Sequence, residues 1–406
     1  MRLGAQMESI WPSNHHQRYE TLRGEVRTDV SVAGAGVAGL TAAYLLSAAG
    51  VRVAVLEAGT IGSGVPGRGA AMVTAQQGAC FSSMIRRFGQ DRAFAIAHAN
   101  QDAVHLIAGI ASAEGIPCGL AVQDSFLYTA SARGVPLVER EAEAARQLGF
   151  AADVTKAAPF FLPYVVASRL GNQLVLNPAE YMSALAAAIG RNGGLIYENS
   201  PVYEMEDGVL RTNGGSIRSK CVLVTTGLPL LCQAKYGSLR VYRQTGWAAS
   251  VDAVAPVVGM WQDACDGLSF CTAGSRLMLS AGGGVRPPSM EAFLRRVAGC
   301  LPGASPAVWP IPTVRTLDGL PDVGKYASDG SCLFLATGFG RWGFTSGTVA
   351  GRILSDLVLD RPNAMIEIFS PQRLPGPSAI GGALALGFAR CWSFVVSSLF
   401  RRKSAL

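Results

Sequence analysis

A glycine-rich turn between a strand-like and a helix-like segment constrains this chain more than any other feature. Residues 29–33 are rich in valine and predict a buried β-strand. Gly34, Gly36 and Gly39 follow with the spacing G-x-G-x-x-G. In such a motif the first glycine allows a tight turn, the second admits a pyrophosphate, and the third lets the helix pack closely on the strand. The helix N-terminus then offers N–H groups to phosphates.

An acidic residue supports the same interpretation. A second strand-like segment, residues 51–56, ends at Glu57, which lies 18 residues after Gly39. This is near the spacing of about 20 residues at which a carboxylate can accept hydrogen bonds from a ribose. Strand, turn, helix and acid together predict a Rossmann-like dinucleotide-binding domain. These features alone do not distinguish an NAD-binding domain from an FAD-binding domain.

Composition excludes some classes of protein. The chain has 406 residues, of which 49% are hydrophobic and 16% charged, so it can bury two cores and is not disordered over most of its length. The formal net charge is +7, but the positive residues are scattered. We therefore expect no nucleic-acid partner and at most a mild attraction to anionic substrates or membrane surfaces.

Cysteines and histidines give no metal-ligand pattern. The nine cysteines form no C-x-x-C, and none pairs with a histidine at ligand spacing, so we expect no metal site. The odd cysteine count predicts reduced thiols and a cytoplasmic protein, with Cys221 and Cys332 in the core. Residues 1–28 lack the apolar segment of a signal peptide, and we expect an ordered arm around Trp11 and Tyr19.

The remaining segments predict an α/β fold with two domains. Residues 236–305 alternate aromatic, glycine and apolar residues, as in an antiparallel sheet. We expect a discontinuous Rossmann-like FAD-binding domain and an α+β substrate domain built on a mainly antiparallel sheet. The predicted ranges are 1–28 for the arm, 29–115, 171–235 and 306–374 for the FAD-binding domain, 116–170 and 236–305 for the substrate domain, and 375–406 for a tail.

In their order these segments resemble the D-amino-acid oxidase superfamily of FAD-dependent oxidoreductases over roughly residues 8–374. Within it the chain looks most like bacterial oxidoreductases that normally carry a C-terminal Rieske domain. The resemblance rests on Ser9-Ile-Trp11, on Gly62-Ser-Gly64 through Thr74, on Asn172-Gln173, on Asn177-Pro178 with Tyr181, on residues 336–345, and on residues 369–373.

The resemblance implies FAD as the cofactor and indicates which residues hold it. The glycine motif would bind the pyrophosphate, Glu57 the ribose, Val202 would approach the adenine, and residues 338–345 would reach the flavin. The full set implied is Gly34, Gly36, Val37, Ala38, Gly39, Glu57, Ala58, Ser63, Gly64, Arg68, Gly69, Thr74, Val202, Thr226, Gly227, Gly338, Phe339, Gly340, Trp342, Gly343, Phe344 and Thr345.

The chain departs from its relatives at three points. No Cys-x-His pair occurs, so we expect no [2Fe–2S] relay. Gln77 stands where relatives often have histidine, so a titratable group is lost beside the expected flavin. Position 313, where amino-acid oxidases often bind the substrate carboxylate with arginine, is threonine. Arg315 lies two positions away and would share the same face of a strand.

The leading prediction is a flavoenzyme that oxidises a C–N bond of an amine or amino-acid-like substrate by hydride transfer to flavin. One alternative is a membrane-surface FAD dehydrogenase that passes electrons to a quinone or protein carrier instead of oxygen, and a second is a non-catalytic flavin-binding protein. The candidate catalytic residues are Gln77, Tyr242, Arg243, Trp247 and Arg315.

The tail motivates the first alternative. Residues 379–400 are apolar apart from Arg390, and Arg401, Arg402 and Lys403 follow. An arginine in mid-membrane is costly, which disfavours a spanning helix. Docking on the protein or a partner subunit and an interfacial membrane helix both stay open, the latter at the inner face of the membrane.

Overall fold

A computed structural model describes residue 11 and residues 17–70, 72–228, 240–252, 257–282, 288–326 and 332–373. The strands are Gly24–Ala33 (β1), Val53–Leu56 (β2), Met72–Val73 (β3), Ala121–Thr129 (β4), Ala152–Thr155 (β5), Val166–Val175 (β6), Leu195–Tyr197 (β7), Glu204–Glu206 (β8), Val209–Arg211 (β9), Gly215–Gly227 (β10), Val241–Asp252 (β11), Met260–Asp263 (β12), Ser269–Ala273 (β13), Arg276–Ala281 (β14), Ala307–Thr316 (β15), Asp322–Lys325 (β16) and Leu333–Thr337 (β17).

The helices within the same residues are Val37–Ala48 (α1), Phe81–Phe88 (α2), Gln90–Ala113 (α3), Val135–Gln147 (α4), Pro178–Arg191 (α5), Met290–Cys300 (α6), Gly343–Val358 (α7) and Met365–Phe369 (α8). Asn177 accepts hydrogen bonds from two N–H groups at the start of α5, which explains why that helix begins at Pro178 as predicted.

The first sheet has eight strands and the parallel core of a Rossmann-like domain. Its main order is β16-β17-β10-β1-β2-β7, and β1 is parallel to both β10 and β2. β1 ends at the glycine motif and β2 ends just before Glu57, so the motif and the acid meet at the carboxyl edge of the sheet. Open α/β sheets bind ligands at this edge.

Helices α1, α5 and α7 pack together on this sheet. Their contacts form one apolar core with residues such as Leu40 and Leu46 of α1, Leu185 of α5 and Leu354 of α7. Helices α1 and α7 approach each other closely at Gly351 of α7. A side chain at that position would collide with Thr41 and with the carbonyl of Ala38 in α1.

The second sheet has nine strands in the main order β15-β11-β14-β13-β12-β4-β6-β3, with β5 on β6. Its pairs are antiparallel except for β12 with β4, in agreement with the predicted mainly antiparallel sheet. β15 lies in this sheet because all ten of its residues pair with β11, whereas the sequence predicts residues 306–374 in the FAD-binding domain. The domain division itself stays a prediction.

The cysteines contradict one expectation. Cys221 and Cys332 form a disulfide, whereas the sequence predicted reduced thiols. β10 and β17 are parallel and pair Val222 with Leu333, so the residues just before them lie side by side, with Cα atoms 4.7 Å apart. The two cysteines are 111 residues apart in sequence, and the pairing of β10 with β17 brings them together.

We expect loss of this disulfide to destabilise the fold. A bridge that closes a loop of about 100 residues restricts the unfolded chain, and its removal typically costs about 2–5 kcal/mol. The double variant Cys221→Ser/Cys332→Ser should therefore unfold at lower denaturant concentration than the wild type. Cys265→Ser, at an exposed free cysteine, is the matched control. Equal stability of the wild type with and without reductant would contradict the expectation.

In the described part of the chain, no helix is both long and apolar enough to cross a membrane. The tail at 375–406, with its alternatives, lies outside the described residues.

Candidate active site

The glycine motif opens into a cavity of about 330 Å³ at the carboxyl edge of the first sheet. Gly34 has a φ of +105°, and a Cβ there would lie 2.9 Å from the carbonyl oxygen of Thr225. A Cβ at Gly39 would overlap the carbonyl oxygen of Gly34 and approach Thr225 Oγ1 to 2.6 Å. Both positions therefore need glycine for the packing of β1, α1 and β10.

Gly36 differs from its two neighbours in the motif. It lines the cavity and is the N-cap of α1, where no side chain caps the helix. A Cβ at this position would meet no protein atom within 4 Å. The space above Gly36 is therefore open toward the cavity, at the positive end of the α1 dipole, as a pyrophosphate requires.

Glu57 lies on the rim of the same cavity, at the end of β2. Its Oε2 accepts the N–H of Ala35 at 2.9 Å and its Oε1 accepts that of Gly59 at 2.9 Å. These bonds orient the carboxylate without using all of its acceptor capacity, because an ionised carboxylate has about four lone-pair sites. The remaining sites can accept the hydroxyls of a ribose.

We expect Glu57→Gln to weaken FAD binding by about 1–3 kcal/mol, because a charged acceptor becomes neutral and charge-assisted hydrogen bonds are the stronger ones. The amide would also turn an N–H₂ group toward the N–H of Ala35 or Gly59. Titration of the apoprotein with FAD measures the loss. An FAD affinity equal to that of the wild type would mean that another group holds the ribose.

Three side chains that are distant in sequence orient the loop of residues 68–70, which forms one wall of the cavity. Trp309 Nε1 donates to the carbonyl of Arg68 at 3.0 Å, Trp11 Nε1 to that of Gly69 at 3.1 Å, and Cys271 Sγ to that of Ala70 at 2.7 Å. Trp11 is buried, which gives the predicted N-terminal arm a contact at the cavity.

A glycine-rich turn of residues 338–342 forms the opposite wall. Gly338 has a φ of +86°, and a Cβ there would lie 2.6 Å from Thr316 Cγ2. α7 starts immediately after the turn, with Trp342 at its N-cap and no side-chain cap. Thr345 in the first turn of α7 accepts the N–H of Thr74 and donates to its carbonyl, both at 3.1 Å, and so ties α7 to the segment that follows the 68–70 loop.

The structure brings most of the predicted cofactor residues to this cavity. Those that line it are Gly34, Gly36, Val37, Ala38, Glu57, Gly64, Gly69, Thr226, Gly227, Gly338, Phe339, Gly340, Trp342, Gly343 and Phe344. The predicted residues outside this lining are Gly39, Ala58, Ser63, Arg68, Thr74, Val202 and Thr345. Lining residues that the prediction missed include Thr225, Ile311, Thr313 and Arg341.

A second cavity of about 480 Å³ lies on the other side of the 338–342 turn, so the two cavities share that wall. Of the predicted catalytic residues, Gln77 and Arg315 line it. Tyr242, Arg243 and Trp247 lie on β11 and belong to the lining of neither described cavity. Trp247 Nε1 instead donates to the carbonyl of Pro288 at 3.1 Å.

Neutral amides form the part of the second cavity that surrounds Gln77. Gln77 Nε2 donates to Asn100 Oδ1 at 3.2 Å. Gln262 donates to the carbonyl of Gln76 at 2.9 Å and accepts the N–H of Gly78 at 2.8 Å. These bonds fix the strand-to-helix segment that carries Gln77. The position where relatives often have histidine is therefore held by amides that do not titrate.

Arg341 is the most informative residue that the sequence analysis missed. It lines both cavities, and its guanidinium donates to the carbonyl of Gly267 at 2.8 Å and to the hydroxyls of Ser269 and Ser280 at 3.0 and 2.9 Å. Burial and the neighbouring Arg315 lower the pKa of Arg341 to about 10, so it stays charged at neutral pH. Among the described residues, its hydrogen bonds go to carbonyl and hydroxyl oxygens and to no carboxylate.

The rim beside Arg315 is braced by a buried ion pair. Arg373 Nε and Nη2 donate to Asp318 Oδ2 and Oδ1 at 2.8 and 2.9 Å, and Arg373 also donates to the carbonyl of Leu320 at 2.7 Å. Burial acts to raise the pKa of Asp318, but Arg373 outweighs it and leaves that pKa below its ordinary value. The turn that follows β15 is thereby fixed by a residue of the 369–373 segment.

The residues present fit a dinucleotide. One cavity contains the open space above Gly36 and the oriented carboxylate of Glu57. The N-termini of α1 and α7, which no side chain caps, also border it. Across the described residues, no group of His, Cys, Asp and Glu could hold a metal ion.

Comparison with known proteins identifies the family. The family described as DAO, FAD dependent oxidoreductase, matches residues 29–357. The chain is 30% identical to a putative Rieske 2Fe-2S iron-sulfur protein, YhfW, of Bacillus subtilis, over 90% of this chain and 75% of that protein. It is 26% identical to a glycine oxidase of Geobacillus kaustophilus, over 82% of this chain and 93% of that protein.

A solved structure supports the fold. The crystal structure of glycine oxidase from Geobacillus kaustophilus superposes with a TM-score of 0.74 at 24% identity, over 86% of this chain and 100% of that one. With the match of the family over residues 29–357, the chain belongs to the DAO family of FAD-dependent oxidoreductases and is an FAD-dependent enzyme.

Proposed function

We propose that this enzyme oxidises the C–N bond of an amino acid or a closely similar amine. The single observation that carries the proposal is Arg341, a charged guanidinium on the wall between the FAD cavity and the second cavity. Among the described residues its guanidinium donates to neutral oxygens: the carbonyls of Gly267 and Ser280 and the hydroxyls of Ser269 and Ser280. A substrate carboxylate would complete its charge pairing. The family relative named glycine oxidase supports the same substrate class.

The reaction balances with one FAD. FAD when bound accepts a hydride from the substrate carbon, while the amine nitrogen loses a proton and a C=N bond forms. Water then hydrolyses the imine to an oxo acid and ammonia or an amine. The chain's part is to hold the carboxylate at Arg341 so that the carbon lies against the 338–342 wall, and to exclude bulk water.

No strong base is needed at the second cavity. Gln77 and Gln262 line it, and neither amide titrates. Neither His98 nor His105 belongs to the lining of either described cavity. A substrate that binds with a neutral amine can release hydride without a side-chain base. We therefore expect activity to rise with pH as the substrate ammonium loses its proton.

Product analysis tests the proposal. The FAD-loaded enzyme is incubated with single amino acids and with the matching amines that lack the carboxylate, in oxygen-saturated buffer and separately with a quinone or dye as acceptor. We expect equal amounts of oxo acid and ammonia from at least one amino acid. The amine that lacks its carboxylate should react about 100-fold more slowly in kcat/KM or worse. Equal reactivity of the two would contradict the role of Arg341.

A further inference from the structure

The side-chain amide of Gln77 is held in one orientation at the second cavity. Asn100 Nδ2 donates to the carbonyl of Ile96 at 3.0 Å, which leaves Asn100 Oδ1 as an acceptor. That oxygen accepts a hydrogen bond from Gln77 Nε2 at 3.2 Å, and Ser346 Oγ accepts a second one from the same nitrogen at 3.4 Å. Because an amide nitrogen carries two hydrogens, both are engaged, and the N–H₂ group of Gln77 faces α3 and α7.

The oxygen of the same amide is open to a ligand. Gln77 lines the second cavity and is partly exposed, and among the described residues no donor is bonded to its Oε1. Turning the amide over would set Oε1 against Asn100 Oδ1, where two acceptors would meet. The cavity therefore contains a neutral acceptor whose orientation is set before a ligand binds. Such preorganisation favours a ligand that carries an N–H or O–H group.

The main chain at Gln77 is fixed as well. Gln262 of β12 bonds to the carbonyl of Gln76 and to the N–H of Gly78, so its amide holds the segment on either side of Gln77. The hydroxyl of Ser125 donates to Gln76 Oε1 at 2.9 Å. The side-chain oxygens of Gln76 and Gln262 thus have protein donors. Among the described residues, the oxygen of Gln77 has none and is left to the cavity.

The carboxylates of the cavity offer a different kind of acceptor. Asp263 Oδ1 accepts the N–H groups of Cys265 and Asp266, both at 2.8 Å, and Asp266 pairs with Arg296 at 2.5 Å. These contacts stabilise the turn between β12 and β13. A carboxylate would hold an amine in its ammonium form through a charge-assisted hydrogen bond, whereas the neutral oxygen of Gln77 can hold the neutral amine.

We propose that Gln77 Oε1 accepts a hydrogen bond from the amine N–H of the substrate, so that the enzyme acts on primary and secondary amines and discriminates against tertiary amines. This deepens the proposed function and rests on it. The hydrogen bond uses an N–H of the neutral amine and leaves the nitrogen lone pair to form the C=N bond as the hydride leaves the carbon. Gln77 takes no proton: the nitrogen keeps it until water removes it.

Amines that differ in their number of N–H groups test the proposal. An amino acid that the enzyme oxidises is compared with its N-methyl and N,N-dimethyl derivatives by anaerobic reduction of the bound flavin, and each rate is referred to the concentration of neutral amine. We expect the N-methyl derivative to react within about fivefold of the parent. The N,N-dimethyl derivative should react about tenfold more slowly or worse, because it leaves Gln77 Oε1 without a donor.

Gln77→Leu separates the hydrogen bond from crowding by the second methyl group. Leucine has a similar size but no acceptor, so the parent amino acid should react about tenfold more slowly while the dimethyl derivative keeps its rate. Gln77→Ser, which withdraws the acceptor without adding an apolar side chain, should behave in the same way. Gln147→Leu makes the leucine substitution at an exposed position on α4 and should leave all rates unchanged. Flavin content shows that the cofactor site of each variant is intact.

Two results would overturn the inference. One is a dimethyl derivative that reacts as fast as the parent in the wild type. The other is a preference for the parent that is equally large in the wild type and in both Gln77 variants, as crowding or binding of the amine at an aspartate would produce. Either result leaves the proposed function intact if the parent yields its oxo acid. If no amino acid yields an oxo acid, the proposed function fails and the inference fails with it.

Discussion

Gly36→Thr is expected to abolish tight FAD binding while leaving the protein folded. A Cβ at position 36 meets no protein atom within 4 Å, and threonine is an accepted N-cap residue. Its side chain would enter the cavity at the place of the pyrophosphate, and its hydroxyl would occupy N–H groups that the phosphates need. Overpacking of this kind costs about 1–3 kcal/mol, so the Kd for FAD should rise by about 5- to 150-fold.

Gly39→Ala is the matched comparison, because it adds one methyl group three residues further along the same motif. That methyl group would overlap the carbonyl oxygen of Gly34, so the apoprotein itself should be destabilised. Thermal unfolding of both apoproteins and FAD titration separate the two cases. A Gly36→Thr protein that binds FAD as tightly as the wild type would show that the pyrophosphate lies elsewhere.

Arg341→Gln is expected to have the second large effect. It removes the cation on the wall between the two cavities and leaves a neutral amide against Ser269 and Ser280. Loss of one partner of a desolvated charge pair costs about 2–5 kcal/mol, so kcat/KM should fall by about 30-fold or more. FAD content should be unchanged, because we expect other segments, the glycine motif and Glu57, to hold the pyrophosphate and ribose.

Arg341→Lys is its control. Lysine keeps the charge but cannot reach Gly267, Ser269 and Ser280 together with a planar fork, so it should restore only part of the lost affinity. The order wild type, lysine, glutamine in substrate Kd indicates charge pairing with the substrate. Unchanged kinetics in both variants would contradict a role for Arg341 in substrate binding.

The sequence could predict those parts of the site whose residues lie close to one another along the chain. Gly34, Gly36, Gly39 and Glu57 lie within 24 residues, and the local pattern of strand, turn and strand is enough to place them at one edge of a sheet. The family resemblance supplied the 338–345 segment. The matching order of strands and helices followed from apolar periodicity and from caps such as Asn177.

The features that the sequence did not predict depend on contacts between residues far apart in the chain. Arg341 stands inside the predicted turn, but its importance comes from Gly267, Ser269 and Ser280, which lie 61–74 residues away in sequence. The sequence signal that could have indicated its role is the presence of an arginine within a glycine-rich turn. The disulfide depends likewise on the pairing of β10 with β17, and the orientation of the 68–70 loop depends on two indoles and a thiol from other segments.

Anaerobic reduction of the bound FAD tests the central claim most directly. The purified FAD-loaded enzyme is mixed without oxygen with amino acids that carry one or two acidic groups, and the visible absorbance of the flavin is followed. The account predicts complete bleaching by at least one of them, with one equivalent of oxo acid formed per FAD and far slower bleaching in Arg341→Gln. A flavin that stays oxidised with every amino acid, or that is reduced equally fast in Arg341→Gln, would contradict it.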